Sequence, residues 1–459
     1  MHAGRLDDLT PLLVALSDSV PGLRQTAAIA LGILKDPRAR STLEAGLADP
    51  DAGVRASTAD ALGSIARPES REPLERALAD ADAHVRTCVA GALRALADPR
   101  SVRVLAGRSS DPSPEVRRAV ASALGSVGTE AAASALLPLL ADPSDRVRRE
   151  AVLGYGRWND PAVLASVRAC LTDPARRVRV AAAVVLGRHR DVVSLPLLLE
   201  RLTTSETWEK PAVLVALGRI GSVDAVPALL AASEHPAHWV RVCALHALGD
   251  IGVPAARDAA LRHTRDPAWA VRGAAALALG ATGTPDDLPV LLELLHDAHP
   301  WPRRGATYAV GRLGLAEAAP RVREELADPA VEVKLAAVWA LGRLGDDGAR
   351  EDLVHLLYRA RPGDPDRVEG TESEDAPRSD AESRLFDAVV QALGRLSRGA
   401  PDSLIHRVLV DVRARLTDEE LDRLARLPLP EMAADAAPPT LRALFETAIP
   451  AASDDEEPG

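Results

Sequence analysis

The sequence predicts an all-α solenoid, a superhelix of about twelve helix pairs, and three observations carry that expectation. The first is a 31-residue period. Glycines at Gly32, Gly63, Gly125, Gly156, Gly187, Gly218, Gly249, Gly280, Gly311 and Gly342 fill one grid, and only Arg94 breaks it. The second is the signature Asp-Pro-x-x-x-Val-Arg inside each period, as in Asp49-Pro50 with Val54-Arg55 or Asp111-Pro112 with Val116-Arg117. The third is composition: 47% hydrophobic residues but only 2% aromatic, so the interior must be built from Ala, Leu and Val. Two helices in 31 residues cannot bury their own apolar faces, so the copies must stack into one continuous core.

Within a period the elements follow in order. A run such as Val226-Pro227-Ala228-Leu229-Leu230 reads as a short first helix, with proline tolerated near its start at Pro196, Pro227, Pro289 and Pro320. Asp-Pro breaks that helix. A second helix then carries apolar residues at helical spacing up to Ala-Leu-Gly, and a Gly-Asp or Gly-Ser/Thr turn is expected to close it. A twelfth copy, Ala392-Leu393-Gly394, is displaced by an acidic insertion. The expected domains are therefore a solenoid over 1–400, interrupted by a disordered acidic insertion at about 360–383. A helical cap over 401–450 and a disordered acidic tail over 451–459 follow.

The net charge of −11 is concentrated in those polar segments, since Gly363–Ser383 carries eight acids against two arginines and the tail four acids. The body is near neutral. No apolar run approaches the length of a membrane span, and the acidic start Met1–Val20 is a poor secretory signal. Cys88, Cys170 and Cys243 form no CxxC pair, which fits a reducing compartment. The arginine-rich, lysine-poor composition suggests a GC-rich bacterium, and a cytoplasmic location is expected.

The period, the DPxxxVRxxA signature and the ALGxLG closure resemble HEAT repeats, in particular the short PBS-lyase HEAT-like type, over about residues 5–400. The resemblance implies a scaffold fold that serves many tasks. It also raises an enzyme alternative, a HEAT-fold DNA glycosylase-like or bilin lyase-like protein. For that alternative His246 and Asp250, four residues apart on one helix face, are the candidate catalytic pair. Deoxyhypusine hydroxylase, another family of this architecture, binds iron through His-Glu dipeptides, and this chain has none. The pairs His235/His238 and His296/His299 have no cysteine nearby, and neither a metal nor another cofactor is expected.

The basic residue of the signature recurs at Arg24, Arg55, Arg86, Arg117, Arg148, Arg179, Lys210, Arg241, Arg272, Arg303 and Lys334. An Asp at the inter-helix turn can cap the second helix while the Arg six residues on reaches the same or a neighbouring Asp, so this column is expected to be structural and nucleic acid is not an expected partner.

Function is expected on the solvent face of the second helices, which should line the concave side of the arc. Counting from the Asp, positions +4, +7, +11 and +15 lie opposite the apolar face. These columns supply Trp208, Trp239, Trp301, Tyr308, Trp339 and Leu277, with Trp269 one residue off. They also supply Arg149, Arg157, Arg188 and Arg219. Aromatic and Arg residues on a face that should be solvated mark an interaction site. The expected function is a non-catalytic adaptor holding a protein partner. The acidic insertion or tail is a second expected occupant of the chain's own Arg-rich face, through salt-sensitive attraction.

Overall fold

The computed structural model describes residues 9–346, 348–359, 388, 389 and 392. Among them every regular element is helical. Eleven helix pairs follow one another, from Thr10–Ala15 with Pro21–Leu34 to Ala319–Glu324 with Val331–Leu344, and Ala349–Arg359 comes after. The chain divides into two compact units, Met1–Ala259 and Ala260–Gly459. The acidic insertion, the cap over 401–450, the tail and most of the twelfth copy lie outside the described residues.

Two second helices start at an aspartate cap. Asp51 precedes Ala52–Ile65 and its carboxylate accepts the Val54 N–H at 3.1 Å; Asp82 does the same for Ala83–Leu96. Such a cap satisfies one of the orphan N–H groups of a first turn. The buried face of Ala52–Ile65 is Val54, Ala56, Ala59, Ala61 and Leu62. The first helices are shorter than the second. Many begin with a 3-10 turn, such as Pro37–Ala39 leading into Arg40–Gly46, and prolines stand in the first turn of Leu195–Thr204, Val226–Ser233, Leu288–Leu295 and Ala319–Glu324. Among the described residues the core is made mainly of Ala, Leu and Val; Tyr155 is its one buried aromatic there, and its hydroxyl donates to the Ala133 carbonyl at 2.8 Å.

The grid glycines lie before the closing turn, which comes at the later glycine of the expected Gly-Ser/Thr or Gly-Asp pair, as at Gly128-Thr129, Gly221-Ser222 and Gly345-Asp346. Gly63 lies inside Ala52–Ile65, and a Cβ there would come within 2.8 Å of the Ala92 Cα on the next second helix. The same approach recurs from Gly187 to Ala216 at 2.6 Å and from Gly218 to Ala247 at 2.7 Å. Glycine is there because successive second helices touch backbone to backbone.

The closing residue comes three positions later, in the left-handed region. Gly128, Gly221, Gly252, Gly314 and Gly345 take it at no steric cost, but Lys35, Ala66, Ala97 and Arg190 adopt the same conformation. A Cβ in that region costs about 1–2 kcal/mol, while glycine's extra unfolded-state freedom offsets part of the gain. Ala66→Gly and Ala97→Gly should therefore each raise stability by about 0.5–1 kcal/mol. Urea melts of the single variants would check this, and a lower midpoint would contradict it.

Candidate functional site

The repeating Asp and Arg columns meet in a ladder. Arg86 places Nε and Nη2 on the two carboxylate oxygens of Asp111 in the next repeat, each at 2.8 Å. Its Nη1 donates back to the carbonyls of Asp80 and Ala81 at 2.9 and 3.0 Å. Asp111 also accepts the Ser113 N–H at 3.0 Å. The same rung joins Arg24 to Asp49, Arg55 to Asp80, Arg117 to Asp142, Arg148 to Asp173, Arg272 to Asp297 and Arg303 to Asp328. Burial alone would raise the Asp111 pKa, but the Arg86 guanidinium and the Ser113 N–H outweigh it and hold the carboxyl below its usual range. The guanidinium forks are thus occupied inside the protein.

Two rungs lack their aspartate, at Thr204 and His235. Glu209 replaces the first, taking Arg179 with both carboxylate oxygens. At the second, Lys210 donates instead to the Leu202 carbonyl at 2.7 Å. Sequence reasoning missed Glu209, although an acid just before the second helix of a repeat lacking its Asp was a readable signal.

The solvent face of the second helices is less uniform than its sequence suggests. In the first unit Trp208 and Trp239 are exposed (39% and 43%). Trp239 is on the helix His238–Ile251, but Trp208 precedes the helix Lys210–Ile220, standing in the turn before it. The Trp208 ring is covered by Arg176 at 4.1 Å and its N–H donates to Glu206 at 2.7 Å. Arg149, Arg157, Arg188 and Arg219 are all exposed. Arg157 donates to the Ser126 carbonyl at 3.1 Å, and Arg188 lies back over Gly156. Arg149 stands 3.9 Å from Glu150.

In the second unit the aromatics pack on one another. Trp269, 42% exposed, stacks on His299 with centroids 3.9 Å apart, and Tyr308 stacks on Trp339 at 4.3 Å. Leu277, Tyr308 and Trp339 are half-buried. Trp301 differs from Trp208 and Trp239: its indole occupies the space that a side chain at Gly273 would fill, and it is half-buried under Arg304 at 4.8 Å. Desolvation lowers the Arg304 pKa, against the nearby Glu332 and Tyr308. The clue to this packing was glycine at Gly273, in a column where the neighbouring repeats carry Val242 and Arg304.

His246 is half-buried and Asp250 exposed on the same helix. Among the described residues no group of three or more His, Cys, Asp or Glu side chains is placed to hold a metal. All three cysteines are buried, and burial pushes Cys88 and Cys243 up to about 12 and Cys170 to about 11, far from a reactive thiolate. Among the described residues no helix is long and apolar enough to cross a membrane.

A family model described as HEAT repeats matches residues 3–61, 41–111, 107–154, 134–218, 209–268, 232–310 and 291–367. The chain belongs to the HEAT repeat family. Its fold is similar to Kap95p, solved in a study of Kap95p binding to RanGDP, at 15% identity and a TM-score of 0.52, covering 97% of this chain and 69% of that one. It is also similar to a crystal structure of importin beta at 16% identity and a TM-score of 0.54, covering 89% of this chain and 66% of that one. This HEAT chain spans about two thirds of the length of those proteins. No curated protein matches it in sequence.

Proposed function

We propose that this chain is a non-catalytic scaffold that holds a partner protein on the second-helix face of its HEAT repeats. In the first unit the anchors are Trp208 and Trp239 beside Arg149, Arg157, Arg188 and Arg219. In the second they are Tyr308, Trp339 and Leu277, while Trp301, expected among them, packs over Gly273. The observation that carries this reading is the exposure of three indoles, Trp208, Trp239 and Trp269, each above a third, on a surface whose own core uses almost no aromatic residues. An exposed indole offers a large apolar contact at small entropic cost, which is why such residues dominate interfaces. The fold likeness to Kap95p and importin beta supports a scaffold role without identifying the partner.

Two single variants separate anchoring from packing. Trp239→Ala removes an exposed ring and should change stability by no more than about 0.5 kcal/mol, while specific partners disappear from an affinity purification. Trp301→Ala removes a ring packed over Gly273 and should cost about 2 kcal/mol. If Trp239→Ala lowers the melt as much as Trp301→Ala and keeps every partner, the indoles are packing and the scaffold reading fails.

A further inference from the structure

We propose that Arg157, Arg188 and Arg219 form a linear anion ladder for an extended acidic segment of a partner protein, one that carries a carboxylate at every third residue. This names the partner chemistry of the scaffold reading and rests on it.

The three arginines occupy one column, +15 of consecutive repeats, and all are exposed. Packed helices lie about 8–10 Å apart, so the column presents a guanidinium about every 10 Å. A chain extended in the polyproline II form advances about 3.1 Å per residue with three residues per turn, so every third side chain returns to the same face about 9–10 Å further on. The column has ends: Ser126 precedes the first arginine and Asp250 follows the last. It therefore matches three carboxylates in register and repels an acid placed one repeat further on.

Neighbouring cations are satisfied by acids of the chain itself. Arg118 pairs with Glu115 at 2.9 Å, Arg177 with Asp145 at 3.1 Å, and Arg149 stands beside Glu150. No carboxylate among the described residues pairs with Arg157, Arg188 or Arg219. Two of them are held in place nonetheless, since Arg157 rests on the Ser126 carbonyl and Arg188 over Gly156, each reaching back across the preceding repeat. A cation held in place with free donors suits a carboxylate better than one that must first be ordered. Beside the ladder, half-buried Leu153 and Val184 offer an apolar floor for the residues between the acids.

The test is fluorescence anisotropy of the full chain with labelled twelve-residue peptides. One repeats Asp-Ser-Gly; its isomer has the same composition with the four aspartates adjacent. The in-register peptide should bind at least tenfold more tightly, weaken as salt rises, and lose at least tenfold with Arg157→Ser, Arg188→Ser and Arg219→Ser combined, while the thermal melt stays put. Equal affinity for the two isomers, undiminished binding by the triple variant, or equal competition by a thymidine oligonucleotide would each overturn the ladder.

The chain's own insertion also spaces acids by three, at Asp366, Glu369, Glu372 and Asp375. Removing residues 363–383 should leave peptide affinity within twofold. A tenfold gain would make that insertion the occupant and sink the external-partner proposal. If partners purified on the native chain survive the triple variant but not Trp239→Ala, the ladder fails and the scaffold reading stands.

Discussion

Asp111→Ala should lower the stability of the first unit by about 3–4 kcal/mol, because it strands a buried cation. The Arg86 and Asp111 side chains are only 9% and 1% exposed, so water cannot replace the missing carboxylate. Two guanidinium donors lose their partners and the Ser113 N–H loses its acceptor. Exposed pairs such as Arg265–Glu293, at 81% and 61% exposure, should contribute less than about 1 kcal/mol by comparison. The rungs also set an acid limit. Their carboxyls are depressed in the folded state, so their stabilisation is fully present above the unfolded value near 4 and is lost as pH falls through the lower folded values. Urea melts of native and Asp111→Ala chains at pH 7 and pH 3 should thus show a smaller gap at the lower pH; a constant gap would contradict the ladder as its cause.

Gly187→Val should cost about 2–3 kcal/mol although valine is the better helix former. The helix gain is worth less than about 1 kcal/mol. Against it stands a Cβ only 2.6 Å from the Ala216 Cα, when carbon atoms rest comfortably at about 3.5–4.0 Å. The obstacle is backbone, so two helices must separate and overpacking dominates. Gly91 provides the contrast, being inside Ala83–Leu96 with nothing near its absent Cβ. Gly91→Ala should stabilise by about 0.5–1 kcal/mol. Thermal melts that moved both variants in the same direction would refute helix proximity as the reason for the grid.

The fold was legible because period and signature repeat, and repetition survives single exceptions such as Arg94. The meaning of the grid was less legible. The left-handed closure was readable where it is a Gly-Thr, Gly-Ser or Gly-Asp pair, as at Gly128, Gly221 and Gly345, and hidden where Lys35, Ala66, Ala97 and Arg190 hold it. A conformation forced on alanine leaves no mark in the sequence. Position numbering also placed Trp208, Trp239 and Trp301 in one column, whereas their surroundings differ. Trp208 precedes a helix that starts late, Trp239 is exposed on its helix, and Trp301 fills the space over Gly273. Columns give phase along a helix; they do not give the volume left by the neighbouring repeat.

Where His235 interrupts the acid column, Lys210 turns back to the Leu202 carbonyl, and it forms no fork to the next repeat such as Glu209 restores at Thr204. Forks fix an angle, whereas apolar packing tolerates sliding and small rotations. This joint lacks the angular restraint of a fork, and Trp208 and Trp239 stand on its two sides. On the proposed scaffold reading, a joint without that restraint lets the distance between the two indoles follow the size of what they hold.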